Sequence, residues 1–111
     1  MKIMVMIQSD KIGHGDDGLG KKLMKNYIST LNEMEGDLWR IVLVNNGVKL
    51  TVEGSESIED LKALAENGAD ILCCGTCLNH FSLSDKRQVG EPTNMVDIVS
   101  SMQVADKVIS I

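Results

Sequence analysis

Three stretches of the chain are apolar almost without interruption: Lys2 to Gln8, Leu38 to Val44 and Ala69 to Cys74. A strand with one face in water alternates apolar and polar residues. A strand without that alternation is buried on both faces, the setting of a parallel sheet flanked by helices. The segments between these runs have helical period. Leu19, Leu23, Tyr27, Ile28, Leu31 and Met34 recur at helical spacing, with Lys21, Lys22 and Lys25 on the other side and Gly36-Asp37 as the stop. Ser57-Ile58-Glu59-Asp60 has the form of a capping box, and its helix runs through Ile58, Leu61, Leu64 and Ala65 to Gly68. Asn45-Asn46-Gly47 is a turn signal, and Val48 to Val52 alternates like a short edge extension or a draped loop. Beyond Cys74 the pattern predicts one or two helical turns over Leu78–Leu83, then a polar loop, SDKRQVGEPT. Thr93 or Asn94 can cap a last helix over Met95–Met102, and Lys107–Ile111 closes as a strand. This order of elements predicts an α/β fold with a mainly parallel sheet.

Composition narrows the function. At 111 residues the chain is one domain, residues 1–111, and its 43% hydrophobic content supports an ordinary core. The formal net charge of −5, with no run of Lys or Arg, excludes a nucleic-acid interface built on phosphate contacts. One Phe, one Tyr and one Trp against seven Met predict an aliphatic and thioether core. No segment reaches the roughly 18 apolar residues of a membrane span. The start, MKIMVMIQSD, is too short before its polar residues to be a signal peptide and reads as a strand.

All three cysteines fall within Cys73-Cys74-Gly75-Thr76-Cys77, at the end of the third apolar run. An odd number so closely spaced is no disulfide framework, so the thiols are expected to be reduced. Three chemistries compete. A structural metal would need a second ligand pair from elsewhere, and only His14 and scattered carboxylates offer one besides His80, so no metal is expected. A thioredoxin-like dithiol would follow an early strand and open a long helix, and this pair does neither. Cys74, at a strand end, and Cys77, at the start of the next element, can instead form a nucleophilic thiolate, which both sulfur transfer and disulfide exchange require. Cys73, inside the strand, reads as a small buried hydrophobe on the other sheet face.

Gly13-His14-Gly15-Asp16-Asp17-Gly18 spells G-x-G-x-x-G between a strand and a helix. The dinucleotide reading fails, because Asp16 and Asp17 would stand where a pyrophosphate must sit. The second strand also ends in Asn45-Asn46 rather than in the acidic residue a ribose needs. The two aspartates are expected to complement the helix N-terminus instead. No cofactor is expected. The glycine loop, the Asn-Asn-Gly turn and the cysteine segment each follow a strand, so a parallel sheet puts them at the same end. The candidate pocket is therefore Gly15, Asp16, Asp17, Asn46, Gly47, Gly75, Thr76, Thr93 and Asn94 around Cys74 and Cys77.

These pieces carry a resemblance. Gly15-Asp16-Asp17, Leu19-Gly20, Lys22-Leu23-Met24, Asn46-Gly47-Val48-Lys49-Leu50, Gly54-Ser55, Cys74-Gly75-Thr76-Cys77-Leu78, Val89-Gly90-Glu91 and Thr93-Asn94-Met95 occur in order from end to end. Together they resemble the DsrE-like domain of YedF-type selenium metabolism proteins, within the DsrE/DsrF-like fold. The resemblance implies about five strands with helices on both faces, a cytoplasmic setting and a homo- or hetero-oligomer. It implies a sulfur or selenium carrier of the sulfurtransferase type, in which a cysteine after a central strand holds a persulfide. Cys74 matches that place, and Cys77 belongs to the YedF-type version of the motif. A dithiol redox module and a non-catalytic interaction subunit of a sulfur-relay complex are the alternatives. YedF-type proteins carry an N-terminal TusA-like domain, whereas this chain opens on the DsrE-like strand. Either the sequence is a fragment of such a protein, or the expected partner is a separate TusA-like or other sulfur-relay protein.

Overall fold

The structure, a computed structural model, describes residues 1–34 and 36–111. The apolar runs form β1 (Ile3–Ile7), β2 (Leu38–Leu43) and β3 (Asp70–Cys74). They join β4 (Glu91–Thr93) and β5 (Lys107–Ser110) in one five-stranded sheet of order β4-β3-β2-β1-β5, with every pairing parallel. The helices are α1 (Asp17–Leu31), α2 (Ile58–Glu66), α3 (Gly75–His80) and α4 (Met95–Val104), with a 3-10 segment over Asn45–Thr51.

The two faces of the sheet are covered unequally. On one, Met24, Ile28 and Leu31 of α1, Leu61 and Leu64 of α2, and Val48 and Leu50 of the 3-10 segment pack on Ile3, Val5, Ile7, Ile41, Leu43, Ile71 and Cys73. On the other, Ile98 of α4 packs on Met4 and Val42, with Trp39, Val44, Leu72 and Ala105 partly buried around them. The register slips between Ile3 and Met4, which pair with Leu38 and Arg40, so Trp39 is an extra residue in β2. Such a bulge lets neighbouring side chains share one face. Arg40 stacks on the Trp39 ring at 4.5 Å, donates to the Ser101 hydroxyl at 2.6 Å and pairs with Asp70 at 3.2 Å. This ties α4 to the thinly covered face.

Several local expectations are corrected. The buried stripe of α1 is Gly20, Met24, Ile28 and Leu31, while Leu19 and Leu23 are exposed. The stripe is displaced because a Cβ at Gly20 would press on the Ile12 carbonyl oxygen at 2.9 Å, so only glycine lets α1 lie against the preceding loop. The helix stops at Leu31 with Asn32 as C-cap, before the expected Gly36-Asp37. Val48–Val52 neither extends the sheet nor drapes loosely. It lies almost wholly in the 3-10 segment, with Val48, Leu50 and Thr51 buried and Thr51 donating to the Val48 carbonyl at 2.7 Å. Ser57 precedes α2 as expected, but its side chain makes no capping bond. The loop SDKRQVGEPT ends in the edge strand β4, where Pro92 pairs opposite Cys73. Asn94, not Thr93, caps α4 by accepting from the Asp97 N–H at 2.9 Å. The turns expected over Leu78–Leu83 begin earlier, at Gly75 directly after Cys74, which makes Cys74 the N-cap of α3.

Candidate functional site

All five strands run the same way, so the segments following them gather at one end of the sheet. Four of those segments meet in direct contact. Val44, at the exit of β2, donates its N–H to the Ile7 carbonyl at 3.0 Å. Gly47 then crosses the end of β1 so closely that a Cβ would collide with the same Ile7 carbonyl. Asn45, in the same turn, donates its N–H to Cys77 Sγ at 3.1 Å. A Cβ at Gly75 would lie 3.3 Å from the Thr93 carbonyl, which brings the exit of β4 against the cysteine turn. The glycines of the Asn-Asn-Gly turn and the CGTC turn therefore serve to bring backbone close to backbone around the thiols.

The three cysteines are free and differ in depth. Cys73 is fully buried, pairs opposite Leu43 and donates weakly to the Val89 carbonyl at 3.7 Å. Burial pushes its thiol above the ordinary value. Cys74 is 5% exposed, and its Sγ accepts the Cys77 N–H at 3.4 Å. Strand alternation separates Cys73 and Cys74, yet both pack with the larger cluster. Cys77, in the first turn of α3, is half-buried. Its thiol is raised above the usual range, first by burial and next by its hydrogen bond to Cys74, while the Asn45 N–H pulls in the opposite direction. A hydrogen bond that raises a thiol pKa is one in which that thiol is the donor.

The remaining expected residues are placed as follows. Asp16 caps α1 by accepting from the Leu19 N–H at 2.7 Å, as expected of a residue complementing a helix N-terminus. Asp17 pairs with Lys11 at 2.6 Å, which holds its carboxyl below the usual carboxylate range. Gly15 is exposed beside them. Among the described residues no hydrogen bond runs from either aspartate to a thiol. Thr93 donates to Asp97 at 2.7 Å, so its side chain and that of Asn94 both serve the start of α4. Asn46 is half-buried and Thr76 exposed, each flanked by a residue of the contact network. Nearby, Lys21, Lys22, Lys25 and Lys49 line a groove of about 600 Å³ between α1 and the segment preceding α2, with Asp10, Glu53 and Glu56 also on its walls. The thiols are not among its lining residues. Among the described residues, no cluster of three or more His, Cys, Asp or Glu side chains could hold a metal ion, and no helix is long and apolar enough to cross a membrane.

Asn45 is the functional candidate that reading the sequence missed. Its side chain is exposed, and its contribution is a backbone N–H delivered by a left-handed conformation, φ 51°. The one signal was its residue type, since Asn tolerates positive φ better than other non-glycine residues.

The model of one protein family, the DsrE/DsrF-like family, matches residues 1–111, the whole chain. The chain belongs to the DsrE/DsrF-like family. Solved structures agree on the fold. The YchN protein of E. coli superposes with a TM-score of 0.76 at 19% identity, covering 99% of this chain and 98% of that one. MTH1491 of Methanobacterium thermoautotrophicum, a protein of unknown function, gives 0.73 at 16% identity over 99% and 98%. BT1422 of Bacteroides thetaiotaomicron, also of unknown function, gives 0.67 at 13% over 99% and 95%. No curated protein matches the chain. As a DsrE/DsrF-like domain it has the α/β fold that the sequence predicts and the five strands that the resemblance implies, all of them parallel.

Proposed function

We propose that this DsrE/DsrF-like protein is a sulfur or selenium carrier of the YedF type, in which Cys74 is the sulfurtransferase nucleophile and Cys77 its proton donor. The observation that carries the reading is the asymmetry of the pair. Cys74 Sγ accepts the Cys77 N–H at 3.4 Å, whereas burial first and the contact with Cys74 next raise the Cys77 thiol above its ordinary value. The thiolate is the form that attacks. The family's general association with sulfur relay supports the same chemistry.

In the proposed step the Cys74 thiolate attacks the outer sulfur of a donor persulfide, R–S–SH. The bond from Cys74 to that sulfur forms as the donor's S–S bond breaks. The donor leaves as a thiolate, R–S⁻, and takes the Cys77 proton to become R–SH, and Cys77 regains a proton from water. Onward delivery is the same exchange with an acceptor thiolate. No electrons are gained or lost, so the carrier needs no cofactor. The partner is a TusA-like or other sulfur-relay protein, and the setting is cytoplasmic, where thiols stay reduced.

A second reading, a dithiol module forming a Cys74–Cys77 disulfide, draws on the same thiol–thiol hydrogen bond. Intact mass after incubation with a cysteine desulfurase and cysteine separates the two. Gain of one sulfur, lost in Cys74→Ser, supports the carrier. Loss of two hydrogens on mild oxidation, without sulfur uptake, supports the disulfide module. No change in either treatment leaves a non-catalytic interaction subunit. The protein is further proposed to be a homo-oligomer, because the apolar side chains of α4 stand in solvent: Met95, Val96, Val99 and Met102.

A further inference from the structure

The thiol pair is held from outside its own segment by one backbone group. Asn45 lies at the exit of β2, 32 residues before Cys77 in sequence, and its N–H reaches Cys77 Sγ at 3.1 Å. The turn that follows this donor holds Asn45 at φ 51°, a left-handed conformation that it shares with only one other non-glycine residue among those described, Ser82. A residue in the left-handed region costs about 1–3 kcal/mol unless its surroundings impose it, and such residues collect at functional sites. Here the surroundings do impose it. Val44 is bonded to the Ile7 carbonyl at 3.0 Å, Gly47 donates back to the Val44 carbonyl at 2.9 Å, and Gly47 rests against the end of β1. The turn is fixed at both ends, and the Asn45 N–H is aimed at a sulfur.

We infer that Asn45 is a positioning residue whose backbone N–H stabilises the Cys77 thiolate during sulfur transfer. This rests on the carrier reading above. When Cys77 gives its proton to the departing donor thiolate, it is left as an anion that is half-buried beside Cys74. The Asn45 N–H is the donor already in place for that anion. Without it the proton is harder to release, and the leaving thiolate must find its proton elsewhere. Among the described residues, Cys74 is the one titratable neighbour whose charge acts on Cys77. The polar groups acting on this sulfur are the Cys74 thiol and the backbone N–H groups of Asn45 and of Cys77 itself. The amide side chain of Asn45 is exposed and takes no part. What the position requires is a residue that accepts positive φ.

The test compares substitutions at position 45 in a Cys74→Ser background, where Cys77 is the accessible thiol and Cys73 stays sealed. The rate of iodoacetamide labelling at Cys77, located by peptide mass, is followed from pH 6 to 10. Asn45→Gly keeps the left-handed turn and should reproduce the parent profile. Asn45→Val, with a β-branched side chain that disfavours positive φ, should move the midpoint up by about half a unit or more, lowering labelling at neutral pH about threefold or further. Asn45→Ala should fall between them and replaces Asn45→Val if that variant does not fold, as judged by its melting curve. A profile unmoved in Asn45→Val or Asn45→Ala overturns the inference. So does an equal shift in Asn45→Gly, which would assign the effect to the amide side chain. This titration uses no sulfur donor. If the wild-type protein fails to take up sulfur while the shift is found, the carrier reading falls and the role of Asn45 in setting the Cys77 thiol stands.

Discussion

Three thiols within five positions have three different fates, and the neighbours of each sulfur decide which. Cys73 meets the core and one carbonyl, Cys74 meets the Cys77 N–H, and Cys77 meets the Asn45 N–H. Iodoacetamide at neutral pH should label Cys74 quickly in the wild-type protein. Cys74→Ser should abolish that fast phase, Cys77→Ser should slow it, and Cys73→Ala should leave it intact. A fast phase that survives Cys74→Ser would exchange the two roles. The thiol at Cys73 also links stability to pH. Its folded pKa lies above the unfolded value, so the native state holds this proton more tightly than the unfolded chain does. The contribution is complete below the ordinary thiol pKa and is lost as pH rises through that value toward the folded one. The melting temperature should therefore fall between pH 8 and pH 10, and fall less in Cys73→Ala. Equal slopes in the two proteins would remove this linkage. The burial of Cys73 within a strand was legible in the sequence, whereas Cys74 at the strand end is nearly as deeply buried, because α3 starts directly on it. The donor at Asn45 was not legible, because it is a main-chain group whose direction depends on the tertiary anchoring of its turn.

Helix termini show where local signals succeed and where tertiary packing overrides them. Asp16 and Asn94 cap α1 and α4 through their side chains, while Ser57, in an equally good capping sequence, makes no such bond. Ser57 is 2% exposed, drawn into the protein with the segment that precedes α2. Asn94→Ala should accordingly cost about 1 kcal/mol, the usual loss for a missing cap, whereas Ser57→Ala should cost markedly less. Midpoints of urea unfolding for the two variants check this, and a larger loss at Ser57 would contradict it. The strands β1, β2 and β3 were legible from their unbroken apolar runs. β4 was not, because a three-residue edge strand containing a proline carries neither alternation nor an apolar run. The start of α3 was missed for a related reason. Gly75-Thr76 has little intrinsic helix preference, and the turn forms because Cys74 supplies the cap. The 3-10 segment over Asn45–Thr51 was missed because alternating residues suggest a strand, whereas here both Val48 and Leu50 turn into the core.

At the scale of the whole molecule the unequal faces of the sheet dominate. One carries α1, α2 and the larger cluster; the other carries α4 and a cluster of three fully buried side chains, Met4, Val42 and Ile98. Val96 is 78% exposed and Met95 61%, with Val108 of β5 also in solvent. Contiguous apolar surface of this kind marks a contact with another molecule. Light scattering at micromolar concentration should give a mass above that of one chain, and Val96→Glu should lower it while leaving the far-ultraviolet spectrum unchanged. A wild-type monomer would remove the proposal of a homo-oligomer. The sheet's own margins have a different consequence. At β4 the outer strand is three residues long and centred on Pro92, which has no N–H to offer a further strand. At β5 the margin is four residues long and opens on an exposed lysine. Strand-on-strand growth, the route to fibrils, is thereby blunted at both rims. If copies of the proposed oligomer meet through α4, they bury side chains and continue no ladder of main-chain bonds, so such a contact would not seed amyloid.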